Sequence, residues 1–307
     1  MAELDVIIAA RNEEFLVRTI DDVLLNAKGD TNIIAILDGY WPDPPLPDHP
    51  RVTIIHHTEP IGQRAAFNEG ARLSKAKFIM KLDAHCAVAE GFDVQLMNDC
   101  RRRNWTLVPA MWNLHAFDWE CQKCKKRYYQ ADCPETCCDV KEFEKVMVWK
   151  PRERRVTTLW RFDSDMHFQY WRGRKTEGKI FETMSCIGAC WFIHREQHER
   201  LEGLDEGHGS WGGVGTEVAC KSWLSGGKLL TDTNTWFAHM FRTKNKTFGF
   251  PYKISGNDQE RARKYSKDLW LNNKWKGQKY PLRYLVEHFW PVDGWDQEDL
   301  DKLPESL

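Results

Sequence analysis

Asp83 and His85 close the apolar run Phe78-Ile79-Met80-Lys81-Leu82, and their spacing is the first sign of chemistry in this chain. Side chains two apart on an extended strand point to the same side. A carboxylate oxygen and an imidazole nitrogen that converge in this way suit Mn²⁺ or a similar divalent ion. A metal held there, beside a parallel sheet, is well placed to bind a diphosphate.

A second set of metal-type residues is separate from the first. Cys121 and Cys124 form a Cys-x-x-Cys turn, and Cys133 and Cys137 follow, with Cys138 adjacent. The turn lets two sulfurs reach one ion, and a second pair closes a tetrahedron. Four of these five are expected to hold a structural Zn²⁺, with the choice between Cys137 and Cys138 open; free or redox thiols are the alternative. Cys86, Cys100, Cys186, Cys190 and Cys220 lie in apolar segments and read as core.

The elements that must position Asp83 and His85 alternate. Leu4 to Ala10 is an apolar strand, and a helix capped by Asn12 runs to about Ala27. Ile33 to Leu37 is a strand ending at Asp38, and residues 41–50, with five prolines, form a loop. Val52 to His56 is a strand, Gly62 to Ser74 a helix, Phe78 to Leu82 a strand and Phe92 to Arg103 a helix. This order predicts an α/β fold with a mostly parallel sheet covered on both faces, and ligands bind beyond the carboxyl ends of such strands. Further on, Cys190 to His194 and Lys228 to Thr231 read as strands and Gly215 to Leu224 as a helix. The tail holds helices over Asp258 to Trp270 and Leu282 to Phe289, packed by Trp270, Trp275, Phe289, Trp290 and Trp295.

Four segments, Val6-Ile7-Ile8-Ala9-Ala10-Arg11-Asn12-Glu13, the strand end at Asp38, Gly62 to Gly70, and Leu82-Asp83-Ala84-His85-Cys86, come in the order and spacing of a family-2-like glycosyltransferase of the GT-A fold. Within that group the Asp-x-His motif resembles the polypeptide N-acetylgalactosaminyltransferases. Gly209-Ser210-Trp211-Gly212-Gly213 resembles their Trp-Gly-Gly segment, and Phe237 to Arg242 resembles their segment bearing the third metal ligand. The resemblance implies that Asp83, His85 and His239 hold Mn²⁺ (or Mg²⁺) against the diphosphate of a sugar nucleotide, and kinship alone points to a UDP-sugar. It places Ala10, Arg11, Glu13, Asp38 and Arg64 on the donor's base and ribose side, Arg242 against phosphate, and Trp211, Gly212 and Gly213 around the sugar. The family segment continues Glu-Asn where this chain has Val214-Gly215. Glu217 is the next acid, and two readings of it stand: a base for the acceptor proton in an inverting reaction, or a helix-cap or ion-pair residue.

The acceptor is a question for residues 101–180. They hold 18 Lys and Arg against 11 Asp and Glu, a balance of +7 inside a chain of net charge -1. Basic residues there (Lys123, Lys125, Lys126, Arg127, Lys150, Arg152, Arg154, Arg155, Arg161, Arg172, Arg174, Lys175) interleave with Trp160, Tyr170 and Trp171. That pattern fits a surface that grips a phosphate backbone and stacks bases, so the acceptor is read as a hydroxymethylated pyrimidine flipped out of DNA. A glycan, lipid or protein acceptor is the alternative, as is a solvated basic face. A non-catalytic, zinc-stabilised nucleic-acid-binding protein is the reading from another class. A nucleotidyltransferase ranks last, because no Gly-rich phosphate loop follows the first strand.

Four regions are expected: 1–111 as the nucleotide-sugar-binding half, 112–180 as a Cys-rich basic insertion, 181–245 as the acceptor half and 246–307 as a helical extension. No stretch reaches 18 consecutive apolar residues, and the first residues lack the pattern of a signal peptide, so the chain reads as cytosolic, with a virus-encoded enzyme acting in a host cytoplasm as one such setting. The near-neutral total excludes a uniformly basic coat. Fifteen tryptophans are more than a core needs and leave some to line a pocket.

Overall fold

The computed structural model describes residues 2–43, 45–130, 132–242, 248–252 and 256–307, with side chains for all of these except 153–155 and 256. Arg154 and Arg155 of the basic segment therefore lie outside the described side chains.

Strands β1 (Leu4–Ala10), β2 (Thr31–Asp38), β3 (Val52–His57) and β4 (Phe78–Leu82) alternate with helices α1 (Leu16–Asn26) and α2 (Gln63–Leu73). Each of β1, β2 and β4 is a continuous apolar run buried on both faces, as a parallel strand under helices must be. Helix α1 buries Leu16, Thr19, Ile20 and Val23, the i, i+3, i+4, i+7 stripe of an amphipathic helix. Next come β5 (Cys86–Val88), α3 (Phe92–Asp99), β6 (Trp105–Cys121), β7 (Arg127–Tyr129), β8 (Phe143–Thr157), β9 (Trp160–Phe162), β10 (Phe168–Tyr170) and β11 (Ile180–Glu182). The chain ends with β12 (Cys190–His194), α4 (Arg195–Arg200), α5 (Val214–Leu224), β13 (Lys228–His239), α6 (Gly256–Leu271), α7 (Leu282–His288) and α8 (Gln297–Asp301).

The main sheet runs β11-β13-β6-β12-β4-β1-β2-β3. Its first half, β4-β1-β2-β3, is parallel. Its second half is mixed: β12 is antiparallel to both β4 and β6, while β13 is parallel to β6. The expectation of a mostly parallel sheet thus holds for the first half only. The expected limit at residue 111 falls inside β6, and that at 180 inside β11. Strands β6 and β8 pair over most of their length as an antiparallel hairpin continuous with the main sheet, so the Cys-rich segment grows out of the domain.

The helix after β1 starts at Leu16, not at Asn12. Asn12 takes a left-handed φ of 53°, and Phe15, without a side-chain cap, precedes the first turn. Residues 11–15 instead form a turn across the carboxyl end of the sheet. In the tail, Trp270, Trp275, Phe289 and Trp295 are buried as expected, but Trp290 is 37% exposed. Trp160 and Trp171 are core as well, which leaves Tyr170 as the exposed aromatic of that trio. The five apolar-segment cysteines are all buried. No helix of the described residues is long and apolar enough to cross a membrane.

Candidate active site

Strand register brings the metal-type residues together. Val6 and Ile7 of β1 lie opposite Met80 and Lys81 of β4, so Ala10, Arg11 and Asp83 emerge at one edge. Strand β13 pairs with β5, placing His239 opposite Cys86 and so beside His85. His239 Nε2 is 3.4 Å from Asp83 Oδ2, and the two imidazole rings are centred 4.8 Å apart. One ligand atom from each of Asp83, His85 and His239 lies within 4.8 Å of the others.

The electrostatics of this group fit a divalent metal. Burial lowers the pKa of His239 to about 4, against the pull of Asp83, so its imidazole is neutral with a lone pair to give. Burial alone would raise Asp83, but the Lys81 ammonium and the two histidines hold it well below the usual carboxylate range. Glu13 behaves similarly: burial raises it, yet His85 and Arg242 outweigh that and lower it. Glu13 Oε2 lies 3.3 Å from His85 Nδ1. A carboxylate beside Nδ1 leaves Nε2 as the nitrogen that would face a metal. One carboxylate and two imidazoles form a donor set suited to Mn²⁺.

Around this group is a cleft with a cavity of about 130 Å³. Of the residues expected from sequence, Ala10, Arg11, Glu13, Asp38, Asp83, His85, Trp211, His239 and Arg242 all line it. Asp38 has both oxygens engaged, accepting from Ile61 N at 2.6 Å and Gly62 N at 3.1 Å, and so shapes the loop before α2. Arg242 contacts Glu13 and lies over the rings of Phe248 and Phe250. The strap Phe248–Tyr252 closes over the cleft: Arg11 stacks on Tyr252 and Asn12 Nδ2 donates to Pro251 O.

A second chamber of about 390 Å³ shares Gln63, Asp83, Trp211, His239, Arg242 and Phe250 with the first. It adds Phe168, Ile187, Phe241 and Gln259, with the backbone of Gly212 and Gly213. Its character is apolar and aromatic, and Asp83 is its sole carboxylate among the described residues. Trp211, Gly212 and Gly213 thus stand between the two spaces. The glycines serve backbone geometry: their φ values are +100° and +70°, and α6 passes close by.

Two expected site residues lie elsewhere. Glu217 is fully buried on α5, 3.0 Å from Arg64 Nε and 3.2 Å from Lys221 Nζ, and it accepts from Asp205 N. Burial raises its pKa, but Lys221, Arg64 and His208 outweigh that and lower it. Arg64, 1% exposed, donates to the carbonyls of Gly209 and Gly212 as well. This pair clamps the Trp211 loop from behind and meets neither chamber. The Val214-Gly215 departure has a packing cause, since a Cβ on Gly215 would sit 1.8 Å from Cys186 O.

Sequence reasoning missed Gln63, Lys81, Phe250 and Tyr252. Lys81 had a signal, for it lies near the end of β4, two residues before Asp83. It is 1% exposed and ion-paired with Asp83 Oδ1.

At the tip of the β6–β8 hairpin, Cys121, Cys124 and Cys137 bring their sulfurs within 4.8 Å of one another. Cys138 Sγ is 3.7 Å from Cys137 Sγ, whereas Cys133 is exposed and outside the group. A backbone amide from Lys126 and the neighbouring thiols lower Cys124 to about 7, which favours a thiolate.

Residues 5–102 match Glycosyl transferase family 2. The matched stretch is about a third of the chain and supplies Asp83 and His85, while Trp211, His239 and Arg242 come from beyond it. Over 271 residues the chain is 26% identical to putative polypeptide N-acetylgalactosaminyltransferase 9 of Drosophila melanogaster, covering 82% of this chain and 37% of that protein. Putative polypeptide N-acetylgalactosaminyltransferase 13 of the same organism is 24% identical over 272 residues, 81% and 43% of the two chains. The chain therefore spans about two fifths of the length of these curated relatives. Among solved structures, GalNAc-T7 with UDP, GalNAc and Mn²⁺ has a TM-score of 0.62 at 20% identity, over 88% of this chain and 48% of that one. S. aureus TarS 1-349 in complex with UDP-GlcNAc has a TM-score of 0.53 at 7% identity, over 93% and 69%. The fold is GT-A, as the motifs implied.

Proposed function

We propose that this chain is a metal-dependent glycosyltransferase that moves a sugar from a nucleotide-diphosphate donor, a UDP-sugar, to an acceptor hydroxyl. The observation that carries the reading is the convergence of Asp83, His85 and His239 in one cleft with Arg242 and Trp211, beyond the carboxyl ends of parallel strands. Similarity to a structure holding UDP and Mn²⁺ supports the donor and the metal. Asp83, His85 and His239 would hold the ion, which supplies positive charge to the leaving diphosphate. Arg242 is placed to add a guanidinium to the same phosphates. Arg11 and Asp38 border the nucleoside end of the cleft, and Trp211 walls the sugar.

The acceptor would enter the apolar chamber, with its hydroxyl toward Asp83 and His239. No carboxylate except Asp83 lines that chamber among the described residues. With no second carboxylate lining that chamber among the described residues, the acceptor proton is best passed to the departing phosphate oxygen, which retains the anomeric configuration. The acceptor is read as a hydroxymethylated pyrimidine in DNA, supported by the basic charge of segment 101–180 and by the exposed ring of Tyr170 within it. A second reading, a polypeptide hydroxyl, is favoured by the similarity to polypeptide N-acetylgalactosaminyltransferases. At the hairpin tip, Cys121, Cys124 and Cys137 with Cys138 are read as the four ligands of a structural Zn²⁺.

The test is release of UDP from a panel of UDP-sugars with Mn²⁺, with hydroxymethylated DNA and Ser/Thr peptides as acceptors, and products read by mass spectrometry. Asp83→Ala and His239→Ala should each lose transfer by 10²-fold or more, roughly the loss expected of a first-rank electrostatic group, with circular dichroism unchanged. Normal turnover in either variant would remove the metal assignment.

A further inference from the structure

We infer that the groove between the end of β8 and the loop of residues 170–176 carries the phosphodiester backbone of a polynucleotide acceptor, and that the hairpin tip does not. The inference rests on the glycosyl-transfer reading only for what the groove feeds. The groove, about 580 Å³, adjoins the acceptor chamber through Phe241, which lines both. Phe241 follows His239 by two residues, so the groove opens onto the reacting edge of the cleft. Among the described residues no Asp or Glu lines it, whereas Arg172 and Arg174 do, with Asn113 and Thr176 as further hydrogen-bonding groups. Arg172 and the neighbouring Lys175 are exposed, and neither makes an ion pair among the described residues. Arg174 is held flat on Trp171, 4.3 Å from the ring centre, and donates to Phe289 O, which anchors the loop. Tyr170, 39% exposed, offers an aromatic face at the groove's rim.

Several cations of the hairpin are already engaged: Lys125 and Arg127 pair with Glu120, Lys145 with Glu14, and Arg152 donates to Tyr129 Oη. Cations already neutralised by carboxylates release few counterions on meeting a polyanion, whereas unpaired ones release them fully. A groove with cations, a stacking ring and no acid among its described lining residues, next to an apolar, aromatic chamber, fits a strand whose backbone lies in the groove while one base enters the chamber. An acidic peptide would meet the same cations but gives the aromatic chamber nothing to hold.

The test is fluorescence anisotropy of the full chain with a labelled single-stranded oligodeoxynucleotide containing 5-hydroxymethylcytosine, from 50 to 200 mM salt, roughly the range over which phosphate contacts are read. Arg172→Ala with Lys175→Ala should weaken binding by 10-fold or more at the low end. It should also reduce the magnitude of the salt slope by about 1.4, the loss of two single-strand phosphate contacts. Lys125→Ala with Arg127→Ala at the tip, where Glu120 already offsets both charges, should bind as the wild type does. Thermal melting checks that both variants fold. Wild-type binding by the groove variant, an equal loss in the tip variant, or equal displacement of the oligonucleotide by a polyglutamate peptide each overturns the inference. If the wild type hydrolyses a UDP-sugar yet binds no oligonucleotide, the groove assignment and the DNA acceptor fall while glycosyl transfer stands. If it binds through the groove but hydrolyses no donor, transfer falls and the groove stands.

Discussion

Lys81 and Glu217 illustrate how single side chains near one cleft divide between chemistry and support. Lys81 holds one oxygen of Asp83 while the other faces His239. An ammonium in that place competes with a dication for the same carboxylate, and the two cations repel. Lys81→Met should therefore tighten Mn²⁺ binding several-fold by calorimetry and lower the melting temperature in chelator, where Asp83 has lost its partner. Weaker Mn²⁺ binding would show instead that Lys81 orients Asp83 for the metal. Glu217 carries the opposite expectation. It sits between Arg64 and Lys221 with no exposed surface. Glu217→Gln removes the charge from a buried cluster and should cost about 3–5 kcal/mol of stability, measured by urea unfolding. The remaining folded enzyme should turn over within a few-fold of wild type. A drop of about 10²-fold or more with unchanged stability would make Glu217 the base after all.

Elements were legible in the sequence where one physical signal dominated. The continuous apolar runs of β1 and β4 and the amphipathic stripe of α1 read directly, and with them Asp83 and His85 at a strand end. His239 came from motif resemblance, because β13 hides its strand: Thr231-Asp232-Thr233-Asn234-Thr235 has no apolar alternation, and the register shifts between Asp232 and Trp236. The start of α1 was misjudged because Asn12 is as good a left-handed residue as a cap. Arg64 and Glu217 could not be placed, since a charged pair buried between α2 and α5 depends on helix packing that spacing does not encode. The hairpin tip makes its own prediction at this scale. If Cys121, Cys124, Cys137 and Cys138 hold Zn²⁺, the purified chain should carry one zinc by elemental analysis. Removing it should raise hydrogen exchange over residues 121–143 while β1 and β4 stay protected. Equal exchange with and without metal would reduce the cluster to free thiols.

Across the whole molecule, the parallel half and the mixed half meet at an acid pair. Asp99 ends α3 in the first half, and Asp232 lies at the irregularity of β13 in the second. Burial, with Asp99 adding to it, raises the pKa of Asp232 to about 7, although Asn234 N donates to it. In an unfolded chain the same group titrates near 3.8. Between those two values the folded state holds a proton that the unfolded state has released, so stability must fall as pH rises through that window and level off above it. Below the unfolded value both states are protonated, and the contribution is fully present. Asp232→Asn keeps an acceptor for Asn234 N and gains an amide that can donate to Asp99, without a charge to lose. Relative to wild type it should be more stable by on the order of 2 kcal/mol at pH 8, and nearly equal at pH 4, with the gap opening from about pH 4 to 7. Urea unfolding across that range reads the gap directly. A difference that stays constant with pH would mean that Asp232 is ionised throughout and that the two halves meet without a shared proton.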